Sequence, residues 1–185
     1  MTQIFTIGHS NRQMHDFISL LQDNQVDIVV DVRRYPGSKI CPQFNKENMI
    51  KEMVKENIMY NHIEKLGGMR KQQADIGEPV YDNQGWKNKS FKAYADYMAT
   101  TPFKEGIDEI LSLLTNYNNL SIMCAEVVPW RCHRRMIADY LTMVEHISVY
   151  DIISRKQRPS LHKLTSFARL VDDKIIIYPE IDINN

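Results

Sequence analysis

The chain has 185 residues, of which 43% are hydrophobic and 25% are charged, a composition typical of one folded globular domain. No apolar run approaches the ~20 residues that span a bilayer, so we expect no membrane span. The opening residues "MTQIFTIGHSNR" lack a basic leader before a long apolar block, so we expect no secretory signal and a cytoplasmic location. The 23 basic and 23 acidic residues give zero net charge, which excludes a global field that draws the protein to nucleic acid or anionic lipid.

The first third of the chain alternates predicted strands with predicted helices. Apolar runs predict strands at 4–7, 26–34 and 57–63, and the second run is apolar on both faces, as in a parallel sheet covered on both sides. Apolar residues at helical spacing predict one helix from about Met14 and another after Asn45. The residues predicted to face inward from the second helix are Ile50, Met53 and Val54.

A polar stretch at 69–89 separates the two halves of the chain. It contains Gln, Asn, Gly, Asp and one Pro and shows no apolar period. A span longer than ~15 residues without regular structure is uncommon in a compact domain unless it is a working loop, so we interpret this stretch as a loop or lid. Trp86 has no apparent core partner in it, and we expect this ring to cover a ligand or stack on a base.

The second half of the chain resumes the alternation of helices and strands. Predicted helices begin near Phe91, Thr101 and Cys132, and predicted strands lie at 118–124 and 146–152. In the C-terminal extension, at about 151–185, we expect a further helix and an edge strand. The alternation predicts a single α/β domain over 1–185, a layered fold with a mainly parallel sheet flanked by helices.

Several predicted strands end in residues that are capable of chemistry. These residues are His9 after the first strand, Asp31, Arg33 and Arg34 after the second, and Cys124 and Glu126 at the strand of 118–124. Ligands of open parallel sheets bind beyond the carboxyl ends of the strands, near the point where the strand order reverses. We therefore expect these residues to share one rim.

The stretch "CAEVVPWRCHRR" carries the densest group of reactive side chains. Unpaired backbone N–H groups at a helix start near Cys132, together with Arg131 and Arg134, predict a pocket for an anion. The same positive field favours a thiolate, so we expect a lowered pKa for Cys124 and a role as nucleophile. The alternative is that both cysteines are small buried residues of the core.

Glu126 and His133 are the candidate proton-transfer groups beside Cys124. A metal site of Cys124, Cys132 and His133 is a further alternative. We expect no metal, because adjacent residues on a helix point about 100° apart and the chain has no CxxC or HxxxH pair. The two cysteines as a redox pair are the remaining alternative.

The stretch "DVRRYPGSK" is a second cluster, in which basic residues surround a Pro-Gly turn. Guanidinium groups bind phosphate and carboxylate bidentately, so this turn predicts the other half of an anion clamp. The alternative is a solvated loop in which Asp31 pairs with an arginine. The predicted catalytic residues are Cys124, Glu126 and His133, and the predicted substrate-binding residues are His9, Ser10, Asp31, Arg33, Arg34, Arg131 and Arg134.

Ordered motifs extend along most of the chain: "TIGHS", "DVRRYPGS" with "PQFN", "LGGMR", "YADYM", and "MCAEVVPWRCHRRMIADYL" followed by "HI". From about Thr6 to Ile147 this pattern resembles the bacterial and archaeal domain-of-unknown-function family 488. The resemblance implies a compact α/β domain and names no substrate. It marks as signature positions Gly8, His9, Ser10, Asp31, Arg33, Pro36, Ser38, Gly67, Gly68, Cys124, Glu126, Cys132, His133 and Arg134. The chain departs from the family pattern at Ile40 and Cys41, where a basic or polar residue is usual.

These features favour an enzyme, a hydrolase or group transferase that acts on a phosphate-bearing substrate such as a nucleotide or a nucleic-acid end. The sequence contains neither a Gly-rich dinucleotide fingerprint nor a P-loop. One alternative is a non-catalytic module that binds nucleotide or nucleic acid through the same basic rim, and another is a thiol redox protein. The expected partner is a small anionic or nucleotide-like ligand, with nucleic acid as an alternative; no cofactor and no membrane partner are expected.

Overall fold

The computed structural model describes residues 2–71 and 81–181. The strands are β1 (Gln3–Gly8), β2 (Ile28–Asp31), β3 (Met59–His62), β4 (Asn119–Cys124), β5 (Val149–Ile152), β6 (Ser160–Leu161), β7 (Arg169–Val171) and β8 (Ile175–Ile177). The helices are α1 (Met14–Asp23), α2 (Lys46–Lys55), α3 (Lys89–Tyr97), α4 (Thr101–Leu113) and α5 (Arg134–Met143). Within these described ranges no helix has the length and apolar character to cross a membrane.

Six strands form the central sheet in the order β3-β2-β4-β1-β5-β6. The first five of these pair in parallel, and β6 adds antiparallel to β5 at one edge. Because the parallel strands run the same way, Gly8 lies beside Cys124, and Asp31 lies between Met123 and His62 at the carboxyl edge. The predicted α/β fold with a mainly parallel sheet is confirmed.

Helices cover both faces of the sheet, and each face has its own hydrophobic core. Successive residues of a strand point to opposite faces, so Val29 of β2 joins one core while Ile28 and Val30 join the other. One core receives side chains from α1 and α2, and the other receives side chains from α3, α4 and α5. Burial on both faces is the reason that these strands appear in the sequence as continuous apolar runs.

The predicted inward face of α2 is wrong in part. Met49 and Met53 are fully buried, whereas the exposed fraction of Ile50 is 41% and that of Val54 is 67%. Residues four positions apart share one face of a helix, and each next residue is rotated by about 100°. Met49 and Met53 therefore form the buried stripe, and the residue after each of them turns towards solvent.

The C-terminal extension differs from its prediction. Its described residues, 153–181, contain β6, β7 and β8 and no helix, so the predicted helix is wrong there; residues 182–185 lie outside the described residues. The predicted edge strand is present as β6. The apolar run "KIIIYP" supplies β8, which pairs antiparallel with β7 in a separate two-stranded sheet.

The predicted lid falls partly on residues 72–80, which lie outside the described residues. The expectation that Trp86 lacks core partners is wrong. Its ring contacts those of Phe91, Phe167 and Tyr178, with centroid distances of 5.1, 5.0 and 5.3 Å. Two of these partners come from the C-terminal extension, so local sequence gave no sign of them.

A buried polar network fixes the C-terminal extension to α5. The imidazole of His162 lies between two carboxylates, with Nε2 at 2.9 Å from Asp139 Oδ1 and Nδ1 at 3.4 Å from Asp151 Oδ2. The same Asp139 carboxylate accepts hydrogen bonds from the hydroxyl groups of Thr165 and Tyr178. Burial opposes the charged imidazole, but the hydrogen bonds that its ring N–H groups donate to both carboxylates outweigh burial and raise the pKa of His162 from 6.5 to about 9.

We predict that the free energy of unfolding falls as the pH rises from about 6.5 to about 9. A pKa raised in the folded state means that the folded protein holds a proton which the unfolded chain releases. The stabilisation is therefore complete below about pH 6.5 and is lost as the pH rises through about 9. The full effect is on the order of 3 kcal/mol. Urea unfolding of the wild type and of His162→Gln at several pH values measures it, with the exposed His15→Gln as the matched control. Equal slopes in all three proteins across this window would contradict the prediction.

Candidate functional site

A cavity of about 360 Å³ opens between the loops that follow β2 and β4, a size within the roughly 300–1,000 Å³ of small-molecule sites. The chain continues from β2 to β3 on one side and from β4 to β5 on the other, so the strand order reverses between β2 and β4. Ligands of open parallel sheets bind at such a point. Of the predicted site residues, those that line the cavity are Arg33, Arg34, Cys124, Glu126, Arg131 and His133.

Gly8 allows the loop after β4 to cross the end of β1. A Cβ atom at this position would lie 1.7 Å from the backbone oxygen of Glu126 and 2.8 Å from the Cα of Val127. Neither contact is tolerable, because both partners are backbone atoms. The missing side chain therefore sets the path of the loop that carries Glu126.

Cys124, Cys132 and His133 form what we call the thiol cluster. Their side-chain ligand atoms all lie within 4.8 Å of one another, and His133 Nδ1 is 3.9 Å from Cys124 Sγ and 3.8 Å from Cys132 Sγ. The helix predicted to start near Cys132 is present and begins two residues later, at Arg134, while Cys132 is extended, with φ −133° and ψ 144°. Cys132 and His133 are therefore not successive residues of a regular helix, and their side chains converge instead of pointing about 100° apart.

The ring of His133 is held on several sides. Its Nε2 is 3.1 Å from the carbonyl oxygen of Val32, which requires the proton on Nε2 and leaves the lone pair of Nδ1 towards the sulfur atoms. The ring of Tyr94 packs edge to face against it at a centroid distance of 4.9 Å, and the Tyr94 hydroxyl donates to Leu66 O at 2.7 Å. His133 therefore has one fixed orientation.

The two thiols have opposite pKa shifts. The hydrogen bond with Cys132, together with burial, raises the pKa of Cys124 well above its usual value. Burial also acts on Cys132, but the hydrogen bond with Cys124 and the interactions with His133 and with the positive charge of Arg134 lower its pKa well below the usual value. The expected lowering of the Cys124 pKa is therefore wrong, because the interaction with Cys132 and burial outweigh the positive charge of Arg134.

Asp31 and Arg33 form a buried ion pair beneath the cavity. The Arg33 guanidinium donates from Nε to Asp31 Oδ1 at 2.9 Å and from Nη2 to Asp31 Oδ2 at 2.6 Å, and Nη2 also donates to the backbone oxygen of Phe44. The Tyr60 hydroxyl donates to Asp31 Oδ2 at 2.6 Å. Asp31 is 0% exposed, so it supports Arg33 from below and has no surface that a substrate can reach.

His9 also supports Arg33. Burial lowers its pKa from 6.5 to about 4, so the ring is neutral near pH 7. A neutral ring that donates from Nδ1 to Ser10 O, at 2.7 Å, accepts at Nε2 from Arg33 Nη1, at 3.1 Å. It stacks on Phe44 with a centroid distance of 4.5 Å. Neither His9 nor Ser10 is among the residues that line the cavity.

Arg134 lies inside the protein and away from the cavity wall. Its side chain is 0% exposed, and its guanidinium donates to the backbone oxygens of Glu126 and Val127 and to Thr6 Oγ1. These bonds hold the loop after β4 in place from behind. The structure thus places Arg134 as a support of the loop.

Three charged side chains remain at the mouth of the cavity. Glu126 and Arg131 are exposed, and Arg34 is half-buried. Arg34 donates from Nη1 to Met69 O at 2.8 Å, while its buried Nε has no hydrogen-bond partner among the described residues.

Several residues that line the cavity were not among the predicted catalytic or binding residues, namely Tyr35, Gly68, Met69, Ser90, Phe91, Tyr94, Ala125 and Cys132. Gly68 is the most informative of them. A Cβ atom there would lie 2.9 Å from His133 Nδ1, so glycine is required for the close approach of this loop to the ring. The glycine pair at 67–68 was the sequence signal for such a close approach. That the ring of His133 is the partner could be identified only from the structure.

The family model described as Domain of unknown function DUF488 matches residues 13–141. This range is more than half of the chain and includes the whole thiol cluster, so the chain belongs to this family, as the sequence motifs predicted. No curated protein and no solved structure matches the chain.

Proposed function

We propose that the cavity of this DUF488 chain is the catalytic site of a hydrolase or group transferase whose substrate bears phosphate, such as a nucleotide or a nucleic-acid end. The observation that carries this proposal is the convergence of the thiol cluster, the Glu126 carboxylate and the guanidinium groups of Arg34 and Arg131 on one cavity. Reactive groups and anion-binding groups then face the same bound molecule.

The basic side chains support an anionic substrate. Arg34 is half-buried and Arg131 is exposed, and both bring a guanidinium group to the same cavity. Guanidinium groups bind phosphate oxygens with directed, charge-assisted hydrogen bonds. Because the net charge of the chain is zero, this attraction is local to the cavity.

Glu126 is the group best positioned to exchange a proton with a substrate or a water molecule, because it is exposed at the mouth while both thiols are buried. In hydrolysis Glu126 accepts a proton from the attacking water, whose oxygen forms a bond to phosphorus while the bond from phosphorus to the leaving oxygen breaks. The leaving oxygen takes up a proton from solvent, and Glu126 releases its own to solvent. The Nδ1 atom of His133 faces the sulfur atoms, so its proton-transfer partners are Cys124 and Cys132.

We predict that Glu126→Gln lowers kcat/KM by roughly 10²–10⁴-fold, the usual contribution of a positioned proton-transfer group. Cys124→Ser is expected to lower it by a similar factor, since it removes one member of the thiol cluster. A screen of phosphate esters and nucleotides identifies the substrate for these assays. Glu47→Gln, on the exposed side of α2, is the matched control and should keep wild-type activity.

Full activity of both Glu126→Gln and Cys124→Ser would overturn the assignment of the reaction to this cavity. Ligand binding without turnover, weakening steeply with salt as phosphate contacts release counterions, would instead favour the non-catalytic binding module.

A further inference from the structure

We infer that the thiol cluster is a three-ligand binding site for a zinc-class transition metal ion, with its fourth coordination position open to the cavity. Binding of the ion follows from the cluster alone. Its use as a Lewis acid towards a phosphate-bearing substrate rests on the proposed function above.

The ligand set and its spacing suit such an ion. Two thiolates and one imidazole nitrogen are the donors that zinc prefers. In a tetrahedral site with usual bond lengths, sulfur and nitrogen ligands lie roughly 3.6 Å apart. The Nδ1 atom of His133 is 3.9 Å from Cys124 Sγ and 3.8 Å from Cys132 Sγ, so each nitrogen–sulfur distance is within a few tenths of an ångström of this value.

The orientation of His133 is that of a metal ligand. Metal-bound histidines usually donate their other ring N–H to a carbonyl or carboxylate, which fixes the tautomer and the direction of the free lone pair. Here Nε2 is paired with the carbonyl oxygen of Val32 at 3.1 Å, and Nδ1 faces both sulfur atoms. A purely structural histidine has no need of two thiols at its remaining lone pair.

Gly68 leaves the lone pair of Nδ1 clear. A Cβ atom at Gly68 would lie at nearly equal distances from Nδ1, Cγ and Cε1 of His133, at 2.9, 3.2 and 3.3 Å. Such distances place that position above the face of the ring, because a point on the in-plane lone pair would be much farther from the two carbon atoms. The loop at Gly68 therefore packs on the face of the ring and not along the direction from Nδ1 towards the sulfur atoms.

The site has the pattern of a catalytic metal centre. Structural zinc sites usually have four protein ligands, whereas catalytic ones keep a position for water or substrate. Within residues 2–71 and 81–181, the thiol cluster is the only group of three or more cysteine, histidine or carboxylate side chains whose ligand atoms all lie within 4.8 Å of one another. All three line the cavity, so a water or a phosphate oxygen can reach the fourth position, with the Glu126 carboxylate on the same wall.

The test is metal binding by the full chain, with Zn²⁺ and Co²⁺ as the probes. The protein is purified with reductant and without chelator, its metal content is measured by mass spectrometry, and the apoprotein is titrated with Co²⁺. We expect one ion per chain and a sulfur-to-cobalt charge-transfer band. Cys124→Ser, Cys132→Ser and His133→Ala should each weaken Co²⁺ binding by at least about 100-fold, since loss of an outer-shell partner alone usually costs 10–100-fold.

Cys41→Ser is the matched control, because this cysteine is outside the cluster, and it should bind Co²⁺ like the wild type. Circular dichroism of each apoprotein identifies variants that fail to fold, and for those His133→Asn and Cys132→Ala replace the first choice. A wild type that is folded but binds neither ion stoichiometrically overturns the inference. The inference is also overturned if the chain binds no metal and loses the mass of two hydrogens on mild oxidation, because that result identifies Cys124 and Cys132 as a redox pair.

The readouts separate this inference from the proposed function. Stoichiometric metal without turnover of any phosphate ester supports the site and overturns the proposed reaction. Turnover by a protein that is free of metal, and unchanged by added Zn²⁺, overturns the use of the ion in the reaction and leaves the proposed reaction intact, while failure of the Co²⁺ titration alone overturns the binding site.

Discussion

Replacing Asp31 by alanine is expected to lower the free energy of unfolding by about 3–5 kcal/mol, the usual cost of removing one partner from a buried ion pair. Asp31 is fully buried and accepts hydrogen bonds from Arg33, from Tyr60 and from the Arg33 backbone N–H. Without the carboxylate, the Arg33 guanidinium remains inside the protein with no opposing charge. The loss is therefore dominated by an uncompensated cation.

Urea unfolding measures this loss directly. Glu105→Ala is the matched control, since the Lys65–Glu105 pair is solvent-exposed on both sides and exposed ion pairs contribute little to stability. A second variant, Asp31→Leu with Arg33→Met, removes both charges and should recover part of the stability. If Asp31→Ala costs no more than Glu105→Ala, the ion pair has no supporting role beneath the cavity.

Gly8→Ala is expected to cost at least about 3 kcal/mol, at or above the upper end of usual overpacking, and to disturb the site as well. The added Cβ would lie 1.7 Å from the backbone oxygen of Glu126, so the loop after β4 must move. That oxygen also accepts a hydrogen bond from Arg134, which is fully buried and cannot follow the loop outwards. The movement changes the position of the Glu126 carboxylate and of the wall beside Cys124.

Urea unfolding and Co²⁺ titration of the same variant measure both effects. Gly37→Ala is the matched control, because a Cβ there meets no atom within 4 Å among the described residues. It should change stability by less than about 0.5 kcal/mol. Wild-type stability of Gly8→Ala would show that the loop after β4 does not need this path.

The layered fold and the edge that carries the site could be predicted from the sequence, because both depend on local patterns. Strands buried on both faces appear as continuous apolar runs, and helices between parallel strands appear as apolar residues at helical spacing. Since all carboxyl ends of parallel strands meet at one edge, Arg33, Cys124 and Glu126 were expected on one rim and do line one cavity.

The details of the site could not be predicted in the same way. A helix start near Cys132 and the observed 3₁₀ turn at Pro129–Arg131, followed by an extended Cys132, fit the same residue pattern. Side chains point in different directions in these two backbone conformations. The sequence therefore did not predict that Cys132 and His133 converge or that Arg134 points into the protein. Backbone dihedral angles at two or three residues decided which groups face the cavity.

The sequence by itself therefore determined the fold class, the family and the edge of the sheet where reactive residues gather. Tertiary structure alone decided the partners of individual side chains, such as Val32 for His133, Asp139 for His162 and Phe167 for Trp86. The physical reason is one of distance along the chain. Hydrophobic period and turn chemistry act over a few residues, whereas these contacts join residues that only the packing of separate layers brings together.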